Sequence, residues 1–170
     1  MESKPQPVNG DFPAETERIL SVALERACVA VEIAGTGPAA NLLALIDEPP
    51  TSSPWTWIAT ARSGDQSFVR GVCPAPGPDE EALRARAGAI GASIRVQRGL
   101  SAASMVGEGI LARANLMREA IECLESAGIR VIATHTGSLS LSFLVEETSA
   151  PRAAHLLHDR FVAPAGSGPA

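Results

Sequence analysis

Short runs of two-residue alternation and longer stretches of helical period follow one another along the chain. Ile19–Leu24 is a short apolar run. From Cys28 to Ala34, Val29, Val31 and Ile33 fall on one face of an extended strand, with Cys28, Ala30 and Glu32 on the other. Gly35-Thr36-Gly37-Pro38 makes a turn, and a short helix is expected over 39–47, with Leu42, Leu43 and Ile46 on one side. A proline-rich loop over 48–54 leads to two strand-like segments, 55–62 and 67–73, that flank Ser63-Gly64-Asp65-Gln66 as a hairpin. Asp79 stands where an N-cap belongs, before a helix running to about Ile90 and stopped at Gly91. Ser93–Val96 is the next strand.

The order then repeats. Ala103–Val106 is a strand that ends in Gly107-Glu108-Gly109. Over 113–127, Leu116, Met117, Ala120, Ile121 and Leu124 form one stripe of an amphipathic helix. Strands over 129–136 and 139–146 surround Gly137-Ser138, and a last helix starts at Ser149 and Pro151. Two strand-helix-strand-strand-helix units predict an α+β fold of two ferredoxin-like βαββαβ modules, with helices on one face of each antiparallel sheet. The second unit lacks a closing strand, because its last helix runs into a Pro/Gly tail. The spare run Ile19–Leu24 supplies that strand, so the first module is inserted in the second. Residues 27–99 then form module 1, and residues 18–26 with 100–162 form module 2. Residues 1–17 are expected as a disordered arm and 163–170 as a disordered tail.

Several segments resemble the tandem ACT region of aspartate kinases. In the second unit these are Met105-Val106-Gly107-Glu108-Gly109-Ile110, Leu124-Glu125-Ser126-Ala127-Gly128-Ile129, Ile132-Ala133-Thr134, and Leu156-Leu157-His158-Asp159-Arg160-Phe161. Residues 19–26 (ILSVALER) resemble the strand that opens the family's regulatory region and completes its second ACT module. The likeness covers about residues 18–162, without the kinase domain, and no Gly-rich phosphate loop is present. It implies a stand-alone regulatory protein that binds an amino-acid-like small molecule, forms a homodimer, controls a separate kinase catalytic subunit, and needs no cofactor.

The resemblance places ligand-binding candidates at Gly35, Thr36, Gly37, Pro38, Ala39 and Thr60, and at Gly107, Glu108, Gly109 and Thr134. Loop amides at a helix start suit a ligand carboxylate. Departures imply an altered effector site. Thr36 stands where the family has Asp, Thr60 and Ala61 replace a Gln-Asn pair, and Ala114-Asn115 replaces a Pro-Gly. A single Glu is stretched into His135-Thr136-Gly137-Ser138. A second reading is a small biosynthetic enzyme acting on an amino-acid-derived substrate, with His135 and Glu108 as its catalytic candidates.

Composition narrows the classes further. The 170 residues are 45% hydrophobic and 19% charged, enough for one medium or two small cores. A net charge of -5, 4% aromatics and no basic cluster argue against nucleic acid. No apolar run is long enough to span a membrane and no signal peptide opens the chain, so a cytoplasmic location is expected. Cys28, Cys73 and Cys123 lack zinc spacing and read as small buried hydrophobes. His155 and His158 read as a solvated helix face. Trp55 and Trp57 are expected to share a strand face buried where two modules pack sheet to sheet.

Overall fold

The computed structural model describes residues 18–47, 54–110 and 113–162. The expected arm and tail lie outside the described residues, as does most of the proline-rich loop. In chain order the elements are β1 (Arg18–Thr36), α1 (Ala39–Asp47), β2 (Trp57–Ser63), β3 (Gln66–Pro74), α2 (Glu80–Ala89) and β4 (Ser93–Glu108). There follow α3 (Leu116–Ser126), β5 (Ala133–Thr136), β6 (Ser140–Glu146), a 3-10 turn (Glu147–Ser149) and α4 (Ala150–Phe161). The six strands form one antiparallel sheet in the order β2-β3-β1-β4-β6-β5.

The runs Ile19–Leu24 and Cys28–Ala34, expected as separate strands, belong to one strand of 19 residues. Ser93–Val96 and Ala103–Val106 likewise join in one strand of 16 residues. The physical reason is a change of facing in mid-strand. The β1–β4 register shifts between Glu25 and Ala30, beside Ala27, whose φ is 54°, and Gly99 in β4 has φ 69°. Such bulges reverse which residues point inward. Before the shift, Ile19, Val22 and Leu24 pack with the second pair of helices; after it, Val29, Val31 and Ile33 pack with the first. A two-residue period broken in this way reads as two elements.

The long strands therefore serve two half-sheets. In one, the C-terminal half of β1 lies between β3 and the N-terminal half of β4, with α1 and α2 behind it. In the other, Ile19, Val22 and Leu24 pair with Gly107, Met105 and Ala103, and β6 and β5 follow. Each half has the ferredoxin-like strand order, and each has its own core. One core is built on Ile33, Leu42, Ile46, Val69 and Leu83. The other is built on Met105, Leu116, Leu124, Phe143 and Leu157.

A third apolar cluster joins the faces that carry no helix. Cys28, Ala30 and Val72 of one half meet Leu100, Ala102 and Leu144 of the other, with Trp57, Ile132 and Ala133 at its border. The half-sheets thus pack face to face, with their helices outermost. Trp57 takes part in this packing as expected, but Trp55 does not. The backbone bends at Thr56 before β2 starts, and the Trp55 ring turns to the helix side. There it covers Gly71, and its indole N–H donates to the Ile46 carbonyl at 3.4 Å.

Local signals explain the helices. The Asp79 carboxylate accepts from the Ala82 N–H at 3.1 Å, and Glu80 and Glu81 occupy the first turn of α2. Of the stripe predicted on α3, Leu116, Ala120 and Leu124 are buried and Ile121 is half-buried, while Met117 is exposed.

Candidate functional site

The first predicted loop follows β1 and opens α1. Gly35 is buried because the chain runs close to Ala92 and Leu42; a Cβ there would stand 3.1 Å from the Ala92 Cβ. Gly37 has φ 96°. Its N–H donates to the Asp65 carbonyl at 3.2 Å, and its own carbonyl accepts from the Ser67 hydroxyl at 2.5 Å. The loop is thereby fastened to the β2–β3 turn. Thr36 and Pro38 are exposed beside it, and Ala39 begins the helix. Thr60 lies on β2 opposite Val69. Thr134 lies on the edge strand of the other half, β5, opposite Phe143.

The second loop borders a cavity. Glu108, Gly109, Ile110, Arg113 and Leu116 line a space of about 220 Å³ together with Arg18, Ile19 and Phe161. β1 brings Arg18 there by pairing it with Glu108. Arg113 forms an ion pair with Glu119 at 2.7 Å, and its guanidinium lies 5.9 Å from the centre of the Phe161 ring. Arg18 has no ion-pair partner among the described residues. The cavity thus offers one carboxylate and two guanidiniums over a floor of Ile19, Ile110, Leu116 and Phe161. Gly107 has a different role. A Cβ there would fall 2.1 Å from the Arg18 carbonyl oxygen and 2.8 Å from the Ile19 Cα, so glycine is what lets β1 and β4 approach.

Arg18 and Arg113 were not singled out from the sequence. Arg18 was within reach, because a first strand that completes the second sheet must end beside Glu108. Arg113 stands only near the start of a helical stripe, and no pattern marks it. Arg70 and Arg95, which flank Glu32, were also missed. The three form a row across β3, β1 and β4, with Glu32 and Arg70 in an ion pair, beside a cavity of about 410 Å³ that Phe68 also lines.

His135 is half-buried on β5 and stacks on Trp57, with ring centroids 5.5 Å apart and planes 9° from parallel. It borders a different cavity from Glu108. The two catalytic candidates therefore do not share a site. Among the described residues no group of three His, Cys, Asp or Glu side chains is arranged to hold a metal. His155 pairs with Asp159 at 3.2 Å on the exposed side of α4. The Cys28 thiol lies between the half-sheets. Burial, and then the nearby charge of Glu25, push its pKa from 9.0 to about 11. No described helix is long and apolar enough to cross a membrane.

Residues 104–161, which include β5, β6 and both helices of the second half, match the family model for the ACT domain. Beyond that segment, the fold is similar to that of solved regulatory subunits of aspartate kinase. The ligand-free regulatory subunit from Thermus thermophilus superposes with a TM-score of 0.71 at 19% identity, covering 84% of this chain and 98% of that one. A structure of aspartokinase alpha and beta subunits gives 0.70 at 21% identity, covering 83% and 97%. Aspartokinase III from E. coli, in complex with lysine and aspartate, gives 0.64 at 18% identity, covering 87% of this chain and 34% of that enzyme. No curated protein sequence matches the chain.

Proposed function

We propose that this chain is a regulatory subunit that binds an amino-acid-type small molecule, with the cavity at Glu108 and Gly109 as its principal site. One observation carries the reading: the cavity holds both signs of charge over an apolar floor. A free α-amino acid presents a carboxylate, an ammonium and a side chain. Arg18 and Arg113 suit the first, Glu108 the second, and Ile19, Leu116 and Phe161 the third. The Gly35–Ala39 loop at the start of α1 is the equivalent place in the first half. Thr36 there brings no carboxylate, so the ligand's ammonium is best met at Glu108.

The fold supports a regulatory outcome. β1 borders the Glu108 cavity with Arg18 and ends 18 residues later at the other loop with Thr36. A ligand that prefers one relative tilt of the half-sheets therefore acts on both. Aspartokinase III was solved with lysine bound, and alpha and beta aspartokinase subunits were solved together. By analogy we assign this chain a homodimeric state and a separate kinase catalytic chain as the partner it controls.

Calorimetric titration with the twenty amino acids tests the reading. At least one should bind saturably, and Glu108→Gln and Arg18→Ala should each weaken it about tenfold or more. No heat with any amino acid, or equal affinity in both variants, overturns the proposal.

A further inference from the structure

A second cavity, about 270 Å³, lies between the half-sheets on the face that carries no helices. It is remote in character from the βα loops, and its chemistry is different. Val72 and Ala102 make an apolar floor, and the Trp57 indole stacked on His135 makes one wall. Hydroxyls continue the sheet face from His135, whose cross-strand neighbour is Ser142. Ser104 donates to Ser142 at 2.8 Å, the two facing each other across β4 and β6, and Ser140 lies beside them. Among the described residues that line it, the only carboxylate is Glu25, half-buried, whose Oε1 accepts from the Thr56 hydroxyl at 3.1 Å.

The charge pattern decides what fits. No described Lys or Arg lines the cavity, so among the described residues nothing offsets Glu25 against an anion. Arginines neutralise Glu32, Glu80 and Glu146 elsewhere in the structure, but among the described residues none reaches Glu25. A metal ion is poorly served by one carboxylate and one imidazole. A small organic cation matches every wall. Its ammonium meets a carboxylate already oriented by Thr56, and its remaining N–H groups find serine oxygens. Its carbons lie on the indole face and the apolar floor, where a cation is favoured as well. The volume falls just below the range of roughly 300–1,000 Å³ usual for ligand pockets, which restricts the ligand to a small amine.

We propose that the cavity between the half-sheets is a binding site for a small primary ammonium ion, held by Glu25 and the Trp57–His135 stack. Such a ligand bridges β2 and β5, the two outer strands, and so fixes the relative position of the halves. The proposal does not rest on the amino-acid reading above, because the two sites share no residue.

Trp57 is the reporter. In the full chain carrying Trp55→Phe, indole emission is followed while n-butylammonium chloride is added, with n-butanol and sodium butyrate as neutral and anionic controls. A saturable change is expected with butylammonium alone, weakened at least about tenfold in Glu25→Gln. Calorimetry on the chain with both tryptophans gives the same comparison should Trp55→Phe disturb the fold. A linear, non-saturating response, a butanol response equal to that of butylammonium, or unchanged affinity in Glu25→Gln overturns the proposal. Butylammonium has no carboxylate for Arg18 and Arg113, so failure here leaves the amino-acid reading standing, and the reverse also holds.

Discussion

The rings of Trp57 and His135 stack at 5.5 Å although they belong to the two outermost strands of one six-stranded sheet. In a flat sheet, five steps of about 4.8 Å would hold those strands roughly 24 Å apart. Their contact shows that the sheet doubles over, pressing the two helix-free faces together around Val72, Ala102 and Leu144. A double-mutant cycle measures the link. Urea unfolding of Trp57→Ala, His135→Ala and the double variant should give a coupling of about 0.5–1.5 kcal/mol. Strict additivity would mean that the stack contributes nothing to holding the halves together.

Two glycines should respond in opposite directions to alanine. At Gly107 a Cβ meets backbone atoms of Arg18 and Ile19, which cannot move without unpairing β1 from β4. Gly107→Ala is expected to cost about 3 kcal/mol or more, in the range of a strained or overpacked core. Gly88 lies in α2 with open space where its Cβ would be. Gly88→Ala should stabilise the chain by up to about 1 kcal/mol. Thermal and denaturant unfolding of both variants checks the signs.

The Cys28 thiol gives a pH prediction. Its pKa is raised in the folded chain, so the native state holds this proton more tightly than the unfolded state does. The resulting stability is fully present below pH 9.0 and is lost as the pH rises through about 11. The size is on the order of 2–3 kcal/mol. Wild type and Cys28→Ala should therefore converge in relative stability between pH 9 and pH 11, the wild type falling faster. Parallel slopes would contradict the assignment. Thiol labelling of native protein at neutral pH should reach half-buried Cys123 before Cys28 or Cys73.

Ser101 is fully buried on β4, and among the described residues its hydroxyl has no hydrogen-bond partner. Removing an unsatisfied hydroxyl relieves a desolvation penalty. Ser101→Ala should be neutral or stabilising by up to about 1 kcal/mol. A loss of that size would reveal a partner for the hydroxyl, such as a buried water.

Much of the fold could be read from the sequence because each half keeps its own periodicity. The buried positions of α3 and the Asp79 cap are local, and local signals survive in one dimension. The continuity of β1 and β4 was hidden for an equally physical reason. The bulges at Ala27 and Gly99 reverse the facing, so one strand shows two phases. The crossing of the first strand to the second half was legible from a tally of strands, in which Ile19–Leu24 had no other place, and from the likeness of residues 19–26 to the family's opening strand. The candidate site was less visible. Glu108 and Gly109 were marked by a turn, but Arg18 and Arg113 are 95 positions apart and meet only through the pairing of Arg18 with Glu108. Glu25, Ser104, Ser142 and His135 come from four strands, and no spacing in the sequence joins them.

The central structural claim is that the first strand closes the second half. Amide hydrogen exchange on the full chain tests it most directly. The amides of Val22 and Leu24 should be protected as strongly as those of Ala103 and Met105, and Gly107→Ala should release all four together while Val31 and Ile33 stay protected. Rapid exchange at Val22 and Leu24 beside a protected Ala103 and Met105 would show that the strand does not pair there, and the shared-strand architecture would fall with it.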